Sequence, residues 1–361
     1  MTKAKELPIL TPAIHTFEIT GKYRSNEVRD VVFYAIQNML NEKKYYRASD
    51  KNYSYKRKDG GLTITLTNSP QGEVKYIKLS GINLARIAGN PSRLALTNLD
   101  QDALDWLEDA FLNELDQLGL LEVEDKIKWT MSRLDITQDF YVKSDPSLIV
   151  KIIRYAGNVD PQGKGQEKHH DQHNEIRSCK FEKTKYDFSL YDKHQQLLNC
   201  AKKGYHVPSD DLECSKNLVR YEIQLKRPYL KEFERENDEL SRRKFENHSL
   251  IHYFTRIGDE IPTILREAAE PFGKDAWYSA SGARKAVQDS DLKEKTKVLV
   301  SEYIESLDDS EALANIPHKK KIMRALNDLG INPVIIPESI LNDRQMVRFP
   351  CESLYSRVQE L

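Results

Sequence analysis

Long apolar runs are absent from this sequence of 361 residues. No stretch reaches the roughly 18 consecutive apolar residues that a membrane-spanning helix needs. The first twenty residues lack the continuous apolar core and the small-residue cleavage site of a secretory signal. Because 31% of the residues are charged and 39% are hydrophobic, we expect a soluble protein with enough apolar material for two domains.

Cysteine is also scarce. The four cysteines are scattered and form no CxxC pair: Cys179, Cys200, Cys214 and Cys351. This usage disfavours a zinc ribbon and fits free thiols in a reducing, cytoplasmic compartment.

An excess of positive charge is missing as well, since the formal net charge is −1. Phosphate attraction usually leaves a basic excess in nucleic-acid-binding proteins, so the composition gives no overall argument for DNA binding. Any DNA affinity must come from local patches. The candidates are Lys226 to Lys231, Arg242-Arg243-Lys244, and Lys319-Lys320-Lys321 with Arg324. Each patch is equally compatible with an ordinary solvated helix face.

Hydrophobic periodicity divides the chain into two parts. Strand and helix patterns alternate in the first part: a strand over His15–Thr20, a helix over Asn26–Asn41, a hairpin around Asp59-Gly60-Gly61, a strand over Lys75–Ser80 and a helix over Asp102–Leu121. From about Glu232 onward, helical patterns take over. We therefore predict an α+β domain over residues 1–235 and a mainly helical domain over residues 236–361.

Three predicted strands share one pattern, an apolar face opposite a polar face. They are Met131–Val142, Tyr186–Tyr191 and Leu218–Lys226. Their polar faces carry Arg133, Asp135, Thr137, Asp139, Asp187, Ser189, Tyr191, Arg220, Glu222, Gln224 and Lys226. If the strands are neighbours, an antiparallel sheet would pack helices on one face and leave the other open. Half-exposed strands have polar outer faces anyway, so alternation alone leaves a purely structural interpretation open.

Such an open face has the residue types for phosphodiester chemistry. Carboxylates on adjacent strands can hold Mg²⁺ or Mn²⁺, which prefer oxygen ligands. The cation would polarise a phosphate, and an activated tyrosine hydroxyl would attack it. Lysine and arginine would position phosphates without reading base sequence.

Three motifs resemble the replication initiators of filamentous phages, the gene II family with its RstA-type members. Ser132-Arg-Leu-Asp135 is similar to the family's SRID. Tyr191-Asp-Lys193-His194-Gln-Gln-Leu197 resembles its Y-x-K-H-x-x-L element. Leu218-Val-Arg-Tyr-Glu222, with Tyr229-Leu-Lys231 downstream, resembles LVRFE followed by RYLK. The motifs occur in order and at similar spacing, so the resemblance spans most of the chain.

The resemblance implies a Rep- or relaxase-like nuclease domain that nicks the viral strand at a phage origin and later rejoins the displaced strand. Tyr191 would be the nucleophile that forms a 5′-phosphotyrosyl link, and Asp135 and Glu222 would be metal ligands. Lys193, Arg220 and Arg133 would contact phosphates, as would Lys226 and Lys231 in the basic patch. The implied partners are double-stranded origin DNA, displaced single-stranded DNA, and the helicase and polymerase of a bacterial host, in whose cytoplasm the protein would act. The sequence is compatible with a dimer on DNA and with a monomer.

Three residues or groups keep more than one interpretation. Asp139 completes RxDxxxD, a spacing closer to plasmid initiators, and is held as a further metal ligand. His194 is either a general acid–base or a surface residue at a helix start. The polar segment Asp160–Asn174 carries His169, His170 and His173, which are metal-ligand candidates in a predicted loop.

Two other functions remain open on the sequence. One is a plasmid initiator or conjugative relaxase with the same chemistry. The other is a non-enzymatic origin-binding protein, in which the helical region holds DNA and the polar strands are merely solvated.

Overall fold

The structure is a computed structural model that describes residues 12–49, 53–68, 75–97, 99–142, 145–159, 166–167, 178–237, 249–269, 276–308, 317–341 and 344–347. Its strands are β1 (Ala13–Tyr23), β2 (Tyr45–Ser49), β3 (Tyr53–Arg57), β4 (Thr63–Asn68), β5 (Lys75–Ile82), β6 (Lys128–Tyr141), β7 (Gln166–Glu167), β8 (Ser178–Glu182), β9 (Tyr186–Asp192), β10 (Leu218–Lys226), β11 (Trp277–Tyr278) and β12 (Met346–Val347). Its helices are α1 (Asn26–Asn41), α2 (Leu84–Ile87), α3 (Gln101–Gln117), α4 (Pro146–Val159), α5 (Lys193–Lys202), α6 (Ser209–Cys214), α7 (Arg227–Glu236), α8 (Ser249–Ala269), α9 (Ala280–Gln288), α10 (Glu294–Glu305), α11 (Lys319–Asp328) and α12 (Glu338–Leu341).

Ten strands form one antiparallel sheet in the order β2-β3-β4-β5-β1-β6-β10-β9-β8-β7. Strand β1 lies inside the sheet, between β5 and β6. Strands β6, β10 and β9 are neighbours, although more than forty residues separate β6 from β9 in the sequence. The three strands with alternating polar faces are therefore adjacent, which meets the condition set in the sequence analysis.

Helices cover one face of this sheet and form the main hydrophobic core with it. Phe17 of β1 packs edge-on against Phe111 of α3 and Phe254 of α8, with ring centroids 5.8 and 5.2 Å apart. Tyr221 of β10 donates its hydroxyl to the carbonyl oxygen of Leu265 in α8 at 3.1 Å. The predicted α+β fold, with helices on one face of an antiparallel sheet, is confirmed.

The hairpin predicted around Asp59-Gly60-Gly61 joins β3 to β4. Gly60 has φ +81°, a backbone region that residues with a Cβ atom seldom adopt. The Gly61 amide donates to Asp59 Oδ1 at 2.8 Å, an Asx-type turn. Turn chemistry therefore determines where these two strands meet.

A second, smaller core lies in the C-terminal helical region. It is built around Val287 of α9, Val300 of α10 and Leu326 of α11. Helix α8 lies beyond the boundary expected at residue 235, yet its residues Phe254 and Leu265 belong to the main core. The division at residue 235 stays a prediction. The described part of the chain contains no helix with the length and hydropathy to cross a membrane.

Two groups singled out in the sequence lie outside the described residues. They are the histidines His169, His170 and His173, and the basic group Arg242-Arg243-Lys244.

Removing the Phe254 ring tests whether α8 and the sheet form one cooperative unit. We expect Phe254→Ala to lower the free energy of unfolding by about 3–5 kcal/mol, because a fully buried aromatic side chain leaves a cavity. Urea denaturation, followed by far-UV circular dichroism and by tyrosine and tryptophan fluorescence, measures this loss. Tyr34→Ala is the matched control, since Tyr34 is 71% exposed on α1 and its loss should cost less than about 0.5 kcal/mol. Equal effects of both variants would argue against a shared core.

Candidate active site

The face of the sheet opposite the main core collects charged side chains through strand register. Arg220 of β10 lies opposite Asp139 of β6 on one side and opposite Tyr191 of β9 on the other. Glu222, two residues along β10, is on the same face because side chains alternate with a period of two. Polar residues from three strands therefore meet in one place.

Strand β1 delivers two consecutive side chains to this face. Ile14 pairs with Ile136 and Thr16 pairs with Asp135, so His15 is an extra residue in β1. A β-bulge of this kind bends the strand and re-aims a side chain. Thr16 Oγ1 donates to Asp135 Oδ2 at 2.5 Å, and the His15 ring lies on the same side.

His15, Asp135 and Glu222 form a group with metal-ligand geometry. His15 Nδ1 lies 3.1 Å from Glu222 Oε2, and one ligand atom from each of the three residues lies within 4.8 Å of the others. Within the described residues no other set of three histidines, cysteines or acids has this spacing. One imidazole nitrogen and two carboxylate oxygens suit a divalent cation: the carboxylates suit Mg²⁺ and Mn²⁺, and imidazole suits later first-row metals. The donor set therefore fits a divalent metal.

Asp135 is almost completely buried and is held by a bidentate ion pair. Arg133 donates from Nε to Oδ1 at 2.7 Å and from Nη2 to Oδ2 at 2.6 Å. Burial raises the pKa of the Asp135 carboxyl, Arg133 opposes this, and the neighbouring Glu222 raises it further. A bound cation would favour the ionised form of Asp135 and so offset the effect of burial on its pKa.

Glu222 has the opposite electrostatic balance. Burial on its own would raise the pKa of this carboxyl, but the charge and hydrogen bond of His15, with Arg220 and Lys193, lower it to about 2. Glu222 is therefore a permanent carboxylate at neutral pH, as a metal ligand or a hydrogen-bond acceptor must be.

Tyr191 shares this carboxylate with His15. Its hydroxyl donates to Glu222 Oε2 at 3.1 Å, the same oxygen that His15 contacts. Burial, followed by the charge of Glu222, raises the pKa of the Tyr191 phenol well above 10, and Arg220 opposes the shift. The residue is half-buried, so part of it reaches the open face. Tyr191 is a neutral phenol here and needs activation before it can attack.

Lys193 lies beside the tyrosine ring at the start of α5. It is 1% exposed, and its Nζ is 5.9 Å from the centre of the Tyr191 ring. Burial, with the charge of Arg220, lowers the pKa of Lys193 to about 7. The helix begins directly after β9 because Asp192 Oδ1 accepts from the Gln195 amide at 3.0 Å. The turn from strand to helix thus places Tyr191 and Lys193 side by side.

Asp139 and Arg220 form a buried ion pair next to the cluster. Arg220 donates from Nε and Nη2 to the two carboxylate oxygens at 2.6 and 2.7 Å. Arg220 is 0% exposed and Asp139 is 3% exposed. Asp139 lies outside the His15–Asp135–Glu222 group, and its two oxygens pair with Arg220. The metal role expected for Asp139 and the phosphate role expected for Arg220 stay predictions.

His194 faces away from Tyr191. Its Nδ1 lies 2.9 Å from Ser215 Oγ and 3.1 Å from the carbonyl oxygen of Leu212, on the side of α6. Among the described residues, its hydrogen-bond partners do not include Tyr191 or Glu222. The geometry is that of a residue that fastens α5 to α6, and the acid–base role stays a prediction.

The remaining basic residues are spread over a wider area. Arg133 lies beside the cluster with its side chain 40% exposed. Lys226 forms an ion pair with Asp187 and donates to the Lys183 carbonyl oxygen at 2.7 Å. Lys231 is exposed on α7. Of these three, only Arg133 touches a residue of the cluster.

Sequence reasoning missed His15 and Thr16. Strict alternation puts only one of two consecutive residues on a given face, so it could not bring both to the site. A bulge leaves only a weak signal, two consecutive polar residues where the apolar phase of a strand slips by one.

Comparisons with known proteins place the chain in a family. Residues 45–249, more than half of the chain, match the family described as the N-terminal part of the replication-associated protein of phages, the gene II protein. Asp135, Tyr191 and Glu222 lie inside the matched segment, and His15 lies outside it. No curated protein matches the chain.

One solved structure with a similar chain is the rolling circle replication initiator protein from Geobacillus stearothermophilus. The alignment covers 90% of this chain and 98% of that one, at 10% sequence identity and a TM-score of 0.30. Sequence identity and structural overlap this low support no inference about the function or the site residues of this chain.

The Asp139–Arg220 pair generates a stability prediction. We expect Asp139→Asn to lower the free energy of unfolding by about 3–5 kcal/mol without any divalent metal, because it leaves a buried guanidinium without its counter-charge. A double variant, Asp139→Leu with Arg220→Met, should recover most of that loss. Thermal and urea unfolding in EDTA measure both.

The control removes one partner of an exposed pair. Glu232→Gln breaks the ion pair between Lys185 and Glu232 and should change the free energy of unfolding by less than about 1 kcal/mol. If Asp139→Asn instead matched wild type in EDTA and differed only with metal present, Asp139 would be a ligand and not half of a structural pair.

Proposed function

Because the chain belongs to the family of phage replication-associated proteins of the gene II type, we propose that it is a rolling-circle initiator that nicks one DNA strand through Tyr191. One observation supports this most directly: Glu222 Oε2 accepts a hydrogen bond from the Tyr191 hydroxyl and also contacts His15. His15, Asp135 and Glu222 together have the spacing of metal ligands. A nucleophile and a metal site in contact are the two parts that phosphotyrosyl chemistry needs.

His15, Asp135 and Glu222 would hold the cation, Mg²⁺ or Mn²⁺. When bound, it would polarise the scissile phosphate and neutralise charge on its oxygens. Arg133, whose guanidinium is partly exposed beside Asp135, would orient the same phosphate.

The reaction exchanges one phosphodiester for another. The Tyr191 oxygen attacks phosphorus, the bond between phosphorus and O3′ breaks, and a 5′-phosphotyrosyl link and a free 3′ hydroxyl result. The phenol loses its proton and the leaving 3′ oxygen gains one. Glu222 aligns the phenol, and Arg220 supplies positive charge that favours the phenolate form. Lys193, beside the Tyr191 ring, adds to this charge when it is protonated. Joining is the reverse reaction, with the 3′ hydroxyl of the displaced strand as the nucleophile.

The C-terminal helical region would contact duplex DNA at the origin. Helix α11 buries Ile322 and Leu326 and exposes Lys319, Lys320, Lys321 and Arg324 on its other side. As the sequence predicts, the first domain, residues 1–235, would nick the DNA, and residues 236–361 would bind the duplex. A filamentous-phage origin and bacterial helicase and polymerase partners belong to the same proposal.

Trapping the covalent adduct tests the nucleophile. We expect wild-type protein to cut supercoiled origin DNA and to form a protein–DNA adduct on a denaturing gel, and mass spectrometry should map the adduct to Tyr191. Tyr191→Phe should lose the adduct and nicking by at least about 1,000-fold while it still shifts DNA on a native gel. Tyr34→Phe, an exposed tyrosine on α1, should behave as wild type.

The same experiment separates the competing functions. If neither wild type nor Tyr191→Phe cuts the DNA while both bind it, the protein is an origin-binding protein and not an enzyme. Cutting of plasmid or transfer origins in preference to phage origins would favour the plasmid-initiator or relaxase alternative.

Metal binding can be measured apart from nicking. We expect Mn²⁺ at 100 times its dissociation constant to stabilise the folded protein by about 2.7 kcal/mol. His15→Ala and Glu222→Gln should weaken Mn²⁺ binding by at least about 10- to 100-fold, measured by titration calorimetry, and should reduce nicking at fixed metal. His206→Ala removes an exposed histidine instead and should leave Mn²⁺ affinity unchanged. Unchanged affinity in both site variants would remove these residues from the metal site.

A further inference from the structure

An exposed tyrosine lies between two cations at the end of α5. Tyr205 keeps 40% of its surface exposed. Lys56 Nζ lies 5.3 Å from the centre of its ring, and the Arg93 guanidinium carbon lies 5.2 Å from it. Both distances are within the range of cation–π contact. Three chain segments that are remote in sequence therefore meet at one surface ring.

Hydrogen bonds hold this cluster in place. Arg93 donates from Nε to the His206 carbonyl oxygen at 2.6 Å and from its amide to Asp211 Oδ2 at 2.5 Å. Asp211 also accepts from Ser92 Oγ at 2.7 Å. The Tyr205 amide donates to the Cys200 carbonyl oxygen at 3.1 Å, which ties the ring to the last turn of α5. These hydrogen bonds hold Arg93 and the Tyr205 backbone in place, and Lys56 lies against the Tyr205 ring.

Positive charge exceeds negative charge in this cluster, although the Asp211 carboxylate lies at the Arg93 amide. Among the described residues, no carboxylate lies within ion-pair distance of the Lys56 or Arg93 side chain. Lys202 and Lys203, directly before Gly204 and the tyrosine, are exposed. In a chain of net charge −1, this is a local excess that an anionic polymer would complement.

The length of α5 sets the distance of the Tyr205 ring from Tyr191. Helix α5 begins two residues after Tyr191 and has ten residues, so its length is about 15 Å. At about 3.4 Å per nucleotide of one duplex strand, this corresponds to about four nucleotides.

Hydroxyl side chains lie beside Lys56 on this face of the sheet. Lys56 pairs with Thr63 of β4, and Thr63 pairs with Ser80 of β5. Thr65 Oγ1 donates to Ser54 Oγ at 3.1 Å on the same face, opposite the buried Ile64. Small hydroxyl side chains leave room for a chain to lie on the sheet and can hydrogen-bond to phosphate oxygens.

We propose that Lys56 and Arg93, held on the Tyr205 ring, bind the phosphates of the DNA strand being cut, about four nucleotides from the phosphate at Tyr191. Tyr205 is a positioning residue, since it fixes the two cations and lowers the entropy cost of ordering them. The inference rests on the proposed nicking function for its substrate. It adds a second anchor that keeps the strand in register while Tyr191 reacts.

Salt-dependent binding tests the proposal without catalysis. In a Tyr191→Phe background, affinity for an oligothymidylate of about 16 nucleotides is measured by fluorescence anisotropy against sodium chloride concentration. Lys56→Gln should reduce the slope of log K against log salt by about 0.7, and the double variant with Arg93→Gln should reduce it by about 1.4. A strand of about 4 nucleotides, too short to reach both sites, should show half of the effect or less.

Matched variants separate charge from support. Tyr205→Phe keeps the ring and should bind as the parent does, whereas Tyr205→Leu should weaken binding about 3- to 10-fold, since it releases both cations. Lys128→Gln is the control, because Lys128 is an exposed lysine at the far end of β6. It should leave slope and affinity unchanged.

A second measurement needs no variant. Lys56 should be protected from acetylation by the longer strand and not by the shorter one, read by mass spectrometry. Unchanged salt slopes together with an unprotected Lys56 would overturn the proposal, even if wild type nicks origin DNA normally. If wild type neither binds the long strand nor nicks, the proposed function itself fails, which is a separate result.

Discussion

One oxygen of Glu222 receives contacts from both His15 and Tyr191, which come from strands on opposite sides of the centre of the sheet. Glu222 can do this because it sits on β10, between β6 and β9, with Asp135 on the neighbouring strand. A carboxylate in this position can serve at once as a metal ligand and as the acceptor for the phenol. Tyr191 and the His15–Asp135–Glu222 group are thereby held at a fixed distance from each other, and the strand register sets that distance.

Burying the charged groups around Glu222 lowers the stability of this part of the sheet. Asp139, Arg220 and Lys193 are all almost completely buried, and buried ions are destabilising unless they are paired. Asp139 and Arg220 solve the problem by pairing with each other. Lys193 solves it in a different way, since burial lowers its pKa to about 7 and lets it lose its charge. Perturbed groups of this kind concentrate at functional sites, where their cost is balanced by chemistry.

Alternation predicted much of this arrangement from the sequence. The faces of β6, β9 and β10, and so the meeting of Tyr191, Asp135 and Glu222, follow from a period of two once the strands are neighbours. The family resemblance supplied the choice of Tyr191 among eighteen tyrosines. The helices covering the apolar face followed from their own periodicity. These features are local, and local features can be recognised in a sequence.

The features that were not predicted depend on register and long-range pairing. His15 reaches Glu222 through a bulge, which alternation cannot place, and 207 residues separate the two. Asp139 looked like a ligand because its spacing from Asp135 puts both on one face, but the register sets it opposite Arg220. Both carboxylates pair with an arginine, Asp135 with Arg133 and Asp139 with Arg220. Only Asp135 also lies beside His15 and Glu222, because its neighbours on other strands, which are not adjacent in sequence, bring them there.

The position of β1 links folding to chemistry. Among the described strands, β1 alone joins the group β2 to β5 to the group β6 to β10, since each strand pairs with its neighbours in one continuous order. It also carries His15, which lies outside the segment that matches the family, residues 45–249. The His15–Asp135–Glu222 group is therefore complete only when β1 has inserted between two strands that follow it in the sequence. Because the pairing with β6 joins residues over a hundred positions apart, its loop-closure entropy must be offset by many packing and hydrogen-bonding interactions that form together. If His15 is a metal ligand, as proposed, metal binding requires the complete sheet, because β1 both joins the two groups of strands and carries His15. Under the proposed function, a partly folded chain would then lack a working nicking centre.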